Sequence, residues 1–355
     1  MLNEKQNSNE SSKNLQKLRL DFYESGIGET IIITFPSGGL GIVDAHPSKY
    51  NHRPAILDLV RGKKIHFVCL THPHEDHALD LVKVLETHPA VESFWSTLHD
   101  IPAFVFWATQ TVSFPSELRD RIAGLNQGYA NCFLDLLDAV GSKDIPRHDL
   151  RSDLEARILD GVEIHCLSPD EGSKNSFFKT FKTRLEKPEA KFPNFNLLSA
   201  VFALKYGESV VVLGADALKE NWEHALKIFH KRQLPKARVL KVPHHGARNA
   251  IDLGRNAKTY LDVCSQNPKA KAVIFAGDKK HPDDGVFEKI KSRTEAICLS
   301  NGRKTISQVN PLRIQLPGAT FIDPSPVCNP VVSFELDSNG NLTVLAGNDC
   351  LACCI

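Results

Sequence analysis

Three imidazoles and a carboxylate crowd into six residues of the run Thr71-His72-Pro73-His74-Glu75-Asp76-His77. Imidazole nitrogen and carboxylate oxygen together are the donors that suit Zn, Mn or Fe. With 15 His among 355 residues, the spacing His-x-His-x-Asp-His is not expected by chance. His72, His74, Asp76 and His77 are therefore read as metal ligands. A further acid, Asp216, follows the apolar run Ser209–Leu213 and Gly214-Ala215. A carboxylate just past a buried strand is costly there unless a cation neutralises it. Pro243-His244-His245-Gly246 and His281 supply more imidazoles downstream.

The elements that must position these groups are legible from periodicity. Ile65–Leu70 is apolar apart from His66 and reads as a strand covered on both faces, so the ligand run sits at its carboxyl end. Ala78–Thr87 has helical spacing, with Leu79, Leu81, Val82 and Leu85 apolar, and would hold His77 rigidly. Before the ligands come strands at Leu18–Tyr23, Ile31–Phe35 and Leu40–Ala45, with Gly26–Thr30 as a turn and Pro36–Gly39 as a hairpin. After them, strands are expected at Val162–Leu167, Ala200–Tyr206, Ser209–Leu213, Ala237–Val242 and Val273–Gly277, with a helix from Lys219 to about Arg232. Val331–Leu336, the turn Asp337-Ser338-Asn339-Gly340 and Asn341–Ala346 form a hairpin.

His72-Pro-His74-Glu-Asp76-His77 resembles the signature of the metallo-β-lactamase superfamily. The stretch LKVPHHG at 240–246 is similar to the subgroup typified by the hydrolase domain of the DNA-uptake protein ComEC. So are the segment N..S.....YG.....L.GAD ending at Asp216 and the strand, Gly and His281-Pro282 that follow. The resemblance covers roughly residues 16–315 and implies an α/β fold, the αββα four-layer sandwich. It also parallels the tRNA-processing ribonuclease Z.

The resemblance implies a role for each residue. His72 and His74 with Asp216 would hold a first divalent ion. Asp76, His77, Asp216 and His281 would hold a second, with Asp216 bridging; the pair would be Zn or Mn. His245 or His244 would act as the acid or phosphate contact, and Asp44 would orient a ligating imidazole from behind; a turn-capping Asp44 is the alternative. A third donor for the first ion is sought at His165, although it lies within its strand, with Asp170 as the alternative. Where relatives carry Ser after His-His-Gly, this chain has Ala247, and Arg248 would substitute electrostatically. Ser199 and Arg248 are candidate substrate contacts.

Residues 95–160 fit the pattern least well. They read as a partly helical insertion over the mouth of the site, a lid or a partner surface, with aromatic clusters at Phe104–Trp107 and Phe114. The stretch 171–193 interleaves Lys174, Lys179, Lys182, Arg184, Lys187 and Lys191 with Phe177, Phe178 and Phe181. Its simpler reading is a solvated loop with anchoring aromatics; the sharper one is a grip on a polyanion through Lys179 and Lys182.

Composition narrows the class. Hydrophobic content of 42% and charged content of 24% are those of an ordinary globule, and the formal charge of +1 offers no global basic field for nucleic acid. No apolar run is long enough to span a bilayer, so no membrane partner is expected. Residues 1–15 are polar, without an apolar segment, and read as a disordered lead-in. Nine Cys with no secretory leader argue for reduced thiols in the cytoplasm. Residues 316–355 read as the hairpin and a tail holding Cys350, Cys353 and Cys354, to which no role is given.

The expected function is metal-dependent hydrolysis, with water activated between two divalent ions. A phosphodiesterase or nuclease acting on nucleic acid or a nucleotide leads. Lactam, thioester or lactone opening is the alternative chemistry. A third reading is an effector subunit of a multi-protein system, such as phage defence, controlled by a protein partner at the insertion or tail.

Overall fold

The computed structural model describes residues 17–25, 28–47, 55–97, 127–186, 194–254, 256–276, 281–300 and 331–346. The aromatic clusters at 104–114, Arg184's side chain, Lys187, Lys191, Gly277, the lead-in and the Cys350–Cys354 tail lie outside them.

Two sheets form. In the first, β1 (Leu18–Ser25), β2 (Gly28–Thr34) and β3 (Leu40–Val43) run antiparallel. From β3 onward, β4 (Ile65–Leu70), β5 (Phe94–Ser96) and β6 (Arg147–Asp149) continue in parallel. The second sheet holds β7 (Arg157–Leu159), β8 (Val162–Ser168) and β9 (Val201–Tyr206), then β10 (Ser209–Leu213), β11 (Val239–Lys241), β12 (Lys271–Ala276) and β13 (Glu295–Ser300). The expected hairpin forms as β14 (Val331–Leu336) and β15 (Leu342–Ala346). It pairs with β1, so the first sheet has eight strands in the order β15-β14-β1-β2-β3-β4-β5-β6. The second has seven, β13-β12-β11-β10-β9-β8-β7, and β10 through β13 are parallel.

Three apolar layers stack these sheets. Ile31 and Ile33 of β2, Phe67 and Cys69 of β4, and Val211 and Leu213 of β10 meet between the sheets. Their even-numbered neighbours point outward, as strand alternation requires. Ile32, Val68 and Leu70 meet the helices α1 (Ile56–Val60), α2 (Glu75–Thr87), α3 (Gln127–Ser142) and α4 (Glu171–Glu186). Val210 and Val212 meet α5 (Lys219–Lys231) and α6 (Asp284–Arg293). This is the four-layer αββα sandwich expected from the sequence.

Two expectations change. The described part of 95–160 is built into the sandwich: β6 and β7 are edge strands, and α3 buries Leu136, Ala139 and Val140 against the α2 layer. The stretch 171–186 is α4 instead of a solvated loop. Asp170 Oδ1 accepts from Ser173 N (2.6 Å) at its start, and Phe177, Phe178 and Phe181 are all buried. Their spacing places them on one face, and burying three aromatic rings is what favours helix over loop.

Candidate metal centre

The donors gather where the parallel strands of both sheets end. Asp44 follows β3, the run 71–77 follows β4, Asp216 follows β10 and His244-His245 follow β11. This carboxyl edge is where open α/β sheets usually hold ligands. The backbone is forced to fit. Of the non-glycine residues with positive φ, Asp44 (51°), Ala215 (44°), His244 (47°) and His245 (54°) all belong to this cluster. Such conformations each cost roughly 1–3 kcal/mol and persist only where surrounding structure imposes them. Gly28 permits the closest approach: a Cβ there would lie 2.3 Å from Asp76 O and from His46 Cβ.

Hydrogen bonds settle which imidazole nitrogen faces the centre. Asp44 accepts from Thr71 N (2.8 Å) and Thr71 Oγ1 (2.7 Å), and from His77 Nδ1 (2.7 Å). Because the single Thr71 hydroxyl proton goes to Asp44, His72 Nδ1 donates to Thr71 Oγ1 (3.1 Å). His245 Nδ1 donates to Phe275 O (3.0 Å). Each of these three rings therefore turns its Nε2 inward, the atom left to bind a metal. Asp44 thus contacts His77 directly and His72 by way of Thr71.

Distances fit a cation. His72 Nε2 and His74 Nδ1 are 3.0 Å apart, close to the roughly 3.3 Å that two nitrogens span on one tetrahedral ion. His77 Nε2 lies 3.8 Å from Asp76 Oδ2 and 3.9 Å from Asp216 Oδ1, and His245 Nε2 lies 3.9 Å from Asp216 Oδ2. Two donors on one ion lie no more than about 4.2 Å apart. Among the described residues, His77 Nε2 and Asp216 Oδ1 are buried with no hydrogen-bond partner. Two convergent sets, His72–His77–Asp216 and Asp76–His77–His245, keep their donor atoms within 4.8 Å of one another.

Burial dominates the electrostatics. It is the main cause holding His72 well below its ordinary value and bringing His74 and His245 down to about 4, so all three are neutral ligands at neutral pH. Burial also lowers His244 and raises Asp76. For His77, burial pulls down but Asp44, Asp76 and Asp216 outweigh it and carry the ring up to about 10. Burial pushes Asp216 up as well, yet His245, His77, Lys241 and His72 together hold it well below the carboxylate range.

The other candidates fall elsewhere. His165 takes Glu163 (3.3 Å) and Arg232 (3.2 Å) as partners, and Asp170 caps α4, so neither is brought to the cluster. The odd alternation of β8 accounts for this: His165 is set by pairing opposite Ala203, away from the strand end where Asp216 and His72 meet. His281 lies beside His244, ring centroids 6.2 Å apart, and outside the convergent sets. His245 is brought into the convergent sets, and His281 is not. His244 accepts from Asn196 Nδ2 (3.3 Å) and stands 3.8 Å from Asp216 Oδ2. Ser199 is fully buried beside the 71–77 run, where Ala200 N donates to Thr71 O (2.9 Å). Lys179, Lys182 and Arg248 are exposed, and the phenylalanines of 177–181 are anchors, forming a buried cluster that reaches His74 through Phe195, 6.0 Å away.

Two residues escaped sequence reasoning. Glu29, assigned to a turn, lies in β2 with its carboxylate buried against the centre, and Lys241 of β11 is fully buried in contact with it. Burial pushes Glu29 up to about 8 against the pull of Lys241. The available signal was a charged residue inside an apolar strand in each case.

No protein-family model and no curated protein matches the sequence. Among solved structures, the chain is similar to Igni18, a metallo hydrolase from the archaeon Ignicoccus hospitalis. That match has 13% identity over 80% of this chain and 97% of the other, with a TM-score of 0.42. A diphosphatase from the PhnP family matches at 12% identity over 91% and 99%, with a TM-score of 0.40. A metallo-β-lactamase from Cronobacter sakazakii matches at 11% over 62% and 75%, with a TM-score of 0.31. Likenesses of this order assign no ion, residue role or substrate to this chain. Among the described residues, no helix is long and apolar enough to cross a membrane.

Proposed function

We propose that this chain is a metal-dependent hydrolase that cleaves phosphodiesters in a nucleic acid or nucleotide. The observation that carries the metal reading is the common orientation of His72, His77 and His245: each Nδ1 is tied outward, and each Nε2 faces Asp216. His72 and His74 with Asp216 would hold one divalent ion, Zn or Mn. Asp76, His77 and His245 with the same Asp216 would hold another. Bound there, divalent ions supply a Lewis acid and bring the acidity of a water close to neutral.

The chain's own groups do the rest. Asp44 fixes His77, and through Thr71 it fixes His72, so the donor geometry is preset. His244, half-buried at the rim, is lowered by burial and so is mainly neutral at neutral pH; with its Nε2 3.8 Å from Asp216 Oδ2 it would contact a phosphate bound at the centre. Arg248, two residues past the pair of histidines, is exposed and offers a cation to a phosphate. The phosphodiester assignment rests on the likeness of LKVPHHG and of the segment ending in Asp216 to the ComEC hydrolase subgroup.

The test is to strip the purified protein with a chelator and reload it with Zn or Mn. It is then assayed on plasmid, single strands, cyclic nucleotides and nitrocefin. Phosphodiester cleavage that returns with the ion, and is absent in Asp216→Asn, is the expected result. Nitrocefin turnover alone would assign lactam chemistry, and cleavage only with a neighbouring gene's product would assign a partner-regulated effector.

A further inference from the structure

Behind the presumptive ligands lies a third set of convergent donors, Glu29, Asp216 and His245, all buried, each offering one atom within 4.8 Å of the others. Apart from the contact with Lys241, neither Glu29 oxygen has a hydrogen-bond partner among the described residues, and Asp216 Oδ1 has none. By donor type and spacing this is a cation position.

The chain has put its own cation there. Lys241 closes β11 with its side chain fully buried. Its Nζ contacts Glu29 Oε1, donates to Ala215 O (2.6 Å) and stands 3.8 Å from Asp216 Oδ1. It also lies 5.9 Å from the centre of the Phe275 ring, within cation–π range. We propose that the Lys241 ammonium is a permanent internal cation of the centre, filling the Glu29–Asp216–His245 position and confining divalent ions to the outer donors. A lysine and a divalent ion repel and share the same carboxylates, so the two do not occupy this position together. Lys241 engages Glu29 and leaves the outer ions Asp76 and Asp216. Through Ala215 O it also holds the left-handed bend that aims Asp216. Lys241 acts through Asp216 and Glu29, so it is a positioning residue.

This inference rests on the metal-centre reading, and the experiment separates the two. Divalent ions per chain are counted by plasma mass spectrometry after Zn loading and desalting, in the parent, Lys241→Ala, Lys241→Gln and the double variant Lys241→Gln/Glu29→Gln. The expected result is one more ion per chain in each single variant than in the parent, and loss of that extra ion in the double variant. Folded single variants with the parent's count overturn the proposal. So do single variants that fail to fold even in saturating Zn, because an ion at the vacated place should take over the lysine's charge. A parent that takes up no ion sinks the metal-centre reading instead, and the difference between parent and variants still decides the role of Lys241.

Discussion

Replacing Asp44 by Asn tests the logic of the centre with the loss of one formal charge and almost no volume. The carboxylate accepts three hydrogen bonds, from Thr71 N, Thr71 Oγ1 and His77 Nδ1. An amide keeps one acceptor oxygen, which can retain Thr71 N. Its NH2 group then takes the place of Oδ2 and faces both His77 Nδ1 and Thr71 Oγ1, where donors already point. The ring relieves the clash by moving its proton to Nε2, the atom that should bind the ion. Loss of such orienting partners typically costs 10–100-fold in metal affinity, equivalent to about 1.4–2.8 kcal/mol. Asp44→Ala would strand a buried imidazole and two donors and should cost fold stability as well, about 3–5 kcal/mol. The assay is Zn competition against a chromophoric chelator, with nitrogen-15 imidazole spectra reporting the His77 tautomer. An affinity within twofold of the parent, with His77 still protonated at Nδ1, would refute the argument that Asp44 sets the ligand.

Three further outcomes are expected. Asp216→Asn should abolish divalent ion uptake while His165→Ala leaves it at the parent level, because His165 is engaged by Glu163 and Arg232; equal losses by mass spectrometry would contradict this. In metal-free protein, His77 is raised from 6.5 to about 10. Its contribution, on the order of a few kcal/mol, is full below pH 6.5 and lost as pH climbs through about 10, so chelated protein should melt lower at pH 9.5 than at 6.5, and Asp44→Asn should flatten that slope. Phe181→Ala should lower stability by about 3–5 kcal/mol in urea titration without weakening retention on heparin, since its ring is core; weaker retention would restore a binding role.

Much of the sandwich was legible because strands covered on both faces leave largely apolar runs, as Phe67–Leu70 and Val210–Leu213 do. The ligand loop was legible because its donors are adjacent in sequence. What the residues withheld was the pairing of distant donors. His245 and His281 are equally plausible by type, and only the left-handed turn at His244-His245 decides which ring meets Asp76 and His77. Glu29 and Lys241 stayed hidden because each is ordinary alone; their meaning lies in a contact between two sheets. The stretch 171–186 misled because alternating cations and aromatics look alike in a loop and on a helix whose apolar face is narrow.

The pairing of β14 with β1 has a consequence for biosynthesis. Leu18 meets Leu336 and Tyr23 meets Val331, so one margin of β1 must wait, unsatisfied, for a partner strand made much later in translation. Until they arrive, that margin is an open template for strands from other nascent chains. Shortened products that stop before the hairpin should therefore collect as aggregates even though every ligand of the centre is already present in them.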